Sequence, residues 1–116
     1  MNLGLIGCGQ VASFFHIPAI RGVPEVNIEA ISDVDGDQVE RFGRKHGIKK
    51  RYTNYHSMFA ECDIDSVLVC TPPRTHSQIV LDAIDRGLHI LCEKPFVSSV
   101  SELDSIARSV DEGLVV

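Results

Sequence analysis

Short apolar runs alternate along the chain with longer stretches whose apolar residues recur at helical spacing. Leu3–Ile6, Val26–Ser32, Val67–Cys70 and His89–Cys92 read as strands, with Arg51–Thr53 as a weaker fifth. Between them, Ile79, Val80, Ala83 and Ile84 fall on one helical face, and so do Leu103, Ile106, Ala107 and Val110. Punctuation agrees with this division. Asp35 is placed to cap a helix ending near Gly47, Ser99-Val100-Ser101-Glu102 has the spacing of a capping box, and Gly87 is placed to stop the helix carrying Ile79–Ile84. Pro18 is expected to end or kink the first helix near Ile17.

Strands alternating with helices imply βαβ units, and hence a parallel sheet covered on both faces. Val67-Leu68-Val69 and His89-Ile90-Leu91 are continuously apolar, as central parallel strands are. The expected fold is α/β, an open, doubly wound, mostly parallel sheet of Rossmann type. After the last helix, Gly113 and then Leu114-Val115-Val116 read as the start of a sixth strand. Residues 1–116 are therefore expected to form one nucleotide-binding domain, with a C-terminal substrate domain absent from this chain.

Composition narrows the partners. At 116 residues the chain suits one domain with a real core, and 44% hydrophobic with 23% charged residues is ordinary for a globular protein. A net charge of −5 argues against nucleic acid and against an anionic membrane surface, and the basic run Lys49-Lys50-Arg51 reads as a solvated edge. No apolar run approaches bilayer length, and no signal segment is evident. Cys8, Cys62, Cys70 and Cys92 show no metal-ligand spacing. They read as small packing residues in a reduced, cytoplasmic setting, and no metal site is expected. His16, His46, His56 and His89 read as structural or surface residues.

The candidate chemistry begins at Gly7-Cys8-Gly9-Gln10-Val11-Ala12, which follows the first strand, opens the first helix and matches G-x-G-x-x-G/A. Gly7 permits the tight turn, Gly9 lets a pyrophosphate approach the backbone, and Ala12 lets helix and strand pack closely. The helix then offers free N–H groups and a positive dipole end to phosphate. That dipole contributes only about 0.3–2 kcal/mol, so the loop positions a dinucleotide more than it alone supplies affinity.

The second strand ends at Ile31-Ser32-Asp33, where a carboxylate can hold the adenosine ribose hydroxyls. Asp33 would repel a 2′-phosphate by about 4 kcal/mol at ~4 Å and an effective dielectric of 20. Val34-Asp35-Gly36-Asp37 supplies no compensating cation, so NAD is favoured over NADP. Two further loops, Thr71-Pro72-Pro73-Arg74-Thr75-His76 and Glu93-Lys94-Pro95, leave the carboxyl edge beside the same crevice. On residue chemistry alone, Lys94 is either an acid/base group or a solvated surface lysine.

These segments, with His16-Ile17-Pro18-Ala19-Ile20, Asp63–Val67, Leu91–Phe96 and the helix start Ser99–Leu103, resemble the N-terminal domain of the glucose-fructose oxidoreductase / inositol dehydrogenase (Gfo/Idh/MocA) family along the whole chain. The resemblance implies reversible hydride transfer between a nicotinamide cofactor and a hydroxyl-bearing carbon of a sugar, inositol or related polyol. It implies that Lys94 is catalytic, and that Thr71, Pro72 and Glu93 line the nicotinamide end of the cofactor, with His76 in the cofactor-facing loop. Gly7, Gly9, Gln10, Val11, Ala12 and Asp33 complete the expected cofactor set. An aspartate and a histidine from the second domain would complete catalysis, and a homo-oligomer would form through that domain. Two rival readings stay open: a non-catalytic NAD-binding regulatory module, and NAD-assisted glycosidase or lyase chemistry on the same fold.

Overall fold

The computed structural model describes residues 1–116. Five strands, β1 (Asn2–Ile6), β2 (Asn27–Ser32), β3 (Lys50–Tyr52), β4 (Ser66–Val69) and β5 (His89–Cys92), form one sheet in the order β3-β2-β1-β4-β5. Every pairing is parallel, with Leu5 of β1 standing between Ile31 of β2 and Leu68 of β4. The helices are α1 (Ile17–Arg21), α2 (Gly36–His46), α3 (Tyr55–Glu61), α4 (His76–Asp85) and α5 (Val100–Ser109).

Alternation along each strand divides the core in two. Leu3, Leu5, Ile31 and Leu68 point to the α1/α2 side with Ile17, Val39 and Phe42. Ile6, Ala30, Val67, Val69 and Ile90 point to the other side, where Met58, Ile79, Val80 and Ile106 meet them. Fully burying each of the Leu, Ile, Val, Met and Phe side chains contributes about 1.5–3 kcal/mol, and both clusters depend on the strands keeping register. The α1/α2 layer stops short of β5. Leu91 is 62% exposed there, at the edge of an apolar groove of about 610 Å³ that Ile20, Leu68 and Val115 also line.

Local chemistry accounts for the helix ends. Asp35 caps α2, its carboxylate accepting the N–H groups of Asp37 and Gln38, and Gly47 (φ 70°) and Gly87 (φ 69°) follow α2 and α4. Ser99 caps α5 by accepting the Glu102 N–H at 3.2 Å, while the Glu102 carboxylate reaches back to the Ser98 N–H.

Three expectations are corrected. Pro18 does not end the first helix, which begins at Gln10, widens into a π-helical turn, Ala12–His16, and continues through α1. Proline has no N–H for the carbonyl four residues back, and the chain answers with a wider turn in which the Ile17 N–H donates to the Ala12 carbonyl. On α5 only Ile106 is buried and Val110 half-buried; Ala107 and Leu103 face outward, because the helix packs on α4 along a narrow stripe. Residues 114–116 are not a strand. The Ile90 N–H donates to the Val115 carbonyl, but the Val115 N–H turns to His89 Nδ1, so no ladder forms.

Candidate functional site

Strand order reverses at β1, with β2 and β3 on one side and β4 and β5 on the other. Loops leaving β1 and β4 diverge there and open a crevice above the carboxyl edge, the usual ligand position in an open α/β sheet. A cleft of about 750 Å³ occupies this place, and Gly7, Gly9, Asp33, Thr71 and Pro72 all line it. Five of the expected cofactor residues are thus brought together from three strand ends.

Gly7 is fixed by sterics. Its φ is +98°, and a Cβ there would lie 2.6 Å from the Cys70 carbonyl carbon, so only glycine lets the turn pass the end of β4. Gly9 is the opposite case, since a Cβ there would meet nothing within 4 Å and would project into open space. That vacant approach to the backbone, at the mouth of a helix, is the cradle a pyrophosphate needs. Gln10 and Val11 form the exposed first turn above it, and Ala12, 0% exposed, seats the helix on the sheet.

Asp33 anchors the far side of the cleft. Its Oδ2 accepts the Cys8 N–H at 2.8 Å and Gln38 Nε2 at 3.0 Å, and its Oδ1 accepts the Asp35 N–H at 2.9 Å. A carboxylate has about four acceptor positions, so one remains on Oδ1 for a ribose hydroxyl. The residues fit a dinucleotide. The sequence reading missed Arg74, which lines the same cleft without an ion-pair partner. Arg41 and Arg44 do not line it. Arg74 comes from the loop after β4, some forty residues from Asp33, so no local pattern connects the two.

His76 also departs from expectation. It is fully buried, with Nε2 facing the Thr71 carbonyl at 2.7 Å and Nδ1 facing the Pro95 carbonyl at 3.0 Å. Each nitrogen faces a backbone carbonyl, and the neutral ring donates its single N–H to one of them, so the ring sits packed between the loops after β4 and β5 instead of presenting an atom to a ligand. Glu93 and Lys94 lie past the end of β5, outside the cleft lining, with Lys94 exposed and the Lys94–Pro95 peptide cis. Glu93 Oε1 accepts from His16 Nε2 at 2.5 Å, and Oε2 accepts the Lys94 N–H at 3.1 Å. These bonds hold the Glu93 carboxyl below the usual carboxylate range, the His16 bond most of all. Burial raises the thiols of Cys8 and Cys70 to about 12 and that of Cys92 to about 11. Neutral at physiological pH, they behave as packing groups.

Fold and cleft together define a dinucleotide-binding α/β domain. The chain belongs to the Gfo/Idh/MocA oxidoreductase family: the family model described as "Oxidoreductase family, NAD-binding Rossmann fold" matches residues 1–116. Among curated relatives, a myo-inositol 2-dehydrogenase of Thermotoga maritima is 28% identical over 116 residues, covering the whole of this chain and 34% of the relative. Among solved structures, an Agrobacterium radiobacter oxidoreductase in complex with NAD+, L-tartaric acid and magnesium superposes with a TM-score of 0.88 at 29% identity, over 94% of this chain and 32% of that one. A 3-ketoreductase of Actinomadura kijaniata in complex with NADP and TDP-benzene gives 0.86 at 26% identity, over 94% and 33%. The chain thus spans about a third of the length of the relatives it matches. No helix is long and apolar enough to cross a membrane.

Proposed function

We propose that residues 1–116 are the cofactor domain of an enzyme that moves a hydride between NAD and a hydroxyl-bearing carbon of a sugar, inositol or related polyol. The observation that carries the reading is the cleft at the β1/β4 reversal, where Gly7, Gly9 and Asp33 meet Thr71 and Pro72. Relatives about three times as long support placing the substrate-binding residues, an oligomer interface and the remaining catalytic groups in further chain. The four free cysteines are in keeping with a cytoplasmic setting.

When bound, the nicotinamide accepts or returns the hydride. The protein's own tasks are positional. Gly9 and the first helical turn through Val11 offer backbone N–H groups to the pyrophosphate, and Asp33 takes a ribose hydroxyl on its free acceptor position. Thr71, whose carbonyl His76 contacts, and Pro72 form one wall of the cleft; Glu93, engaged with His16 beside the cleft, would border the nicotinamide end as the family resemblance implies. Lys94 is the group available to hydrogen-bond the reacting hydroxyl and to relay its proton.

Calorimetric titration of NAD and NADP into the full-length protein, followed by turnover assays with polyols and sugars, tests the reading. NAD is expected to bind more tightly, and residues 1–116 alone are expected to give no substrate-dependent NADH. Arg74 supports a second reading in which a 2′-phosphate is accepted. Equal or tighter NADP binding that Arg74→Ala abolishes would establish it. Products formed without net cofactor reduction would replace the dehydrogenase by glycosidase or lyase chemistry, and cofactor binding without turnover would leave a regulatory module.

A further inference from the structure

The first helix and the turn after β5 are joined by a contact that neither local pattern announces. His16 Nε2 donates to Glu93 Oε1 at 2.5 Å across 77 positions of sequence, with the two side chains 21% and 28% exposed. The other oxygen of that carboxylate accepts the Lys94 N–H. One residue further on, the Pro95 carbonyl faces buried His76. Lys94 is therefore flanked by two contacts, His16 on the Glu93 carboxylate before it and His76 on the Pro95 carbonyl after it.

His16 owes its place to the π-helical turn. Residues Ala12–His16 are wound one residue wider than an α-helix, because Pro18 has no N–H to close the ordinary turn. His16 is the last residue of that turn, and the same helix begins at the phosphate loop. Single π-turns inside helices are frequent at functional sites.

We propose that His16 is a positioning residue for the reaction: by holding Glu93 it sets the Glu93-Lys94-Pro95 turn relative to the phosphate loop, and so aims the Lys94 amine. This rests on the reading of Lys94 as the acid/base group. His16 touches neither Lys94's amine nor the cleft, so its effect travels through the carboxylate and the backbone. A misplaced acid/base group costs about tenfold to a hundredfold in turnover, whereas the pyrophosphate and ribose contacts are made elsewhere. Loss of His16 should therefore lower kcat by that factor and leave KM for NAD within about threefold. Glutamine at this position keeps an N–H able to reach Glu93 and should restore most of the rate.

The experiment uses the full-length protein as wild type, His16→Ala, His16→Gln and Lys94→Arg, each first checked by its thermal melt. Lysines are dimethylated with ¹³C-formaldehyde, and the Lys94 resonance is assigned by its absence from Lys94→Arg. His16→Ala is expected to move that resonance and His16→Gln to leave it in place, with kcat following the same order. An unmoved resonance in a folded His16→Ala protein overturns the proposal, whatever the activity. A moved resonance with unchanged kcat overturns the role in turnover. A wild type inert toward every polyol and sugar removes the dehydrogenase reading, while a moved resonance would still support the His16–Glu93 grip on Lys94. If His16→Ala fails to fold, Glu93→Gln gives the same readout from the other partner.

Discussion

Two turns leave the carboxyl edge of the sheet, one lining the cleft and one beside it, and they are held in place by different means. The Gly7–Ala12 turn is clamped mainly by backbone from neighbouring strand ends: the Gly7 N–H donates to the Ser32 carbonyl at 2.8 Å, the Cys8 N–H donates to Asp33, and Cys70 leaves no room for a side chain at Gly7. The Glu93-Lys94-Pro95 turn begins with one ladder bond, the Glu93 N–H to the Val69 carbonyl, and then depends on His16 and His76 reaching in from two helices. A backbone clamp tolerates no change at the glycine, and the distant side chain it draws on is the Asp33 carboxylate. A side-chain grip can be altered at remote positions without unfolding the sheet. The first arrangement suits a fixed binding platform, and the second lets the position of Lys94 respond to changes at His16 or Glu93.

Mutation can sharpen that contrast. The largest effect is expected at Lys94: in the full-length enzyme, Lys94→Ala should lower kcat by roughly two to four orders of magnitude, the usual range for a lost acid/base group. NAD affinity should change little, because the platform lies on the other turn. Stopped-flow rates and NAD titrations check both halves, and unchanged turnover would return Lys94 to a solvated surface lysine.

Next comes the platform itself. Gly7→Ala forces a side chain into a left-handed backbone and against the Cys70 carbonyl, and should cost at least about 2 kcal/mol in denaturant melts. Gly9→Ala meets nothing, so stability should stay within about 0.5 kcal/mol while NAD affinity falls. A Gly9→Ala protein that binds NAD normally would mean that the pyrophosphate does not use this approach. Asp33→Asn should weaken NAD by about tenfold, the worth of a hydrogen bond to a charged group, and should narrow the preference over NADP. Its melt should shift as well, since Asp33 also receives the Cys8 and Asp35 N–H groups.

The same contrast explains what could be read without coordinates. All five strands, the weakly marked β3 among them, follow from periodicity and turn chemistry within a dozen residues of one another, as do the Asp35 cap, the glycine stops and the phosphate turn. Pro18 was correctly singled out, but its consequence was not an ended helix. Whether a proline stops, kinks or widens a helix depends on what the next turn packs against, and Ile17 is buried on the sheet. His16 read as a surface or structural residue because its partner lies 77 positions away. His76 was placed in the right loop, but its inward direction depends on the Pro95 carbonyl 19 residues on. Arg74 entered the cleft for a similar reason: strand order, not sequence proximity, puts the loop after β4 opposite Asp33.

The smallest expected effect concerns the pH response of the side-chain-held turn. Glu93 is held below the ordinary carboxyl value of about 4.5, chiefly by the His16 hydrogen bond and then by the Lys94 N–H. A carboxyl whose folded pKa lies below its unfolded one adds stability that is fully present above the unfolded value. That stability is lost as pH falls through the depressed folded value. The sensitive window for Glu93 therefore lies in the acid range below 4.5, not near neutrality. Because the pair is partly exposed, the contribution should stay below about 1 kcal/mol. Denaturant melts of wild type and Glu93→Gln between about pH 7 and pH 3 measure it. The stability gap should hold steady through the neutral and mildly acid range and close only as Glu93 itself takes up its proton. A Glu93→Gln gap that had already closed by about pH 6 would show that a group other than this carboxyl governs the turn. The His16–Glu93 bond would then be a consequence of the turn's position and not what fixes it.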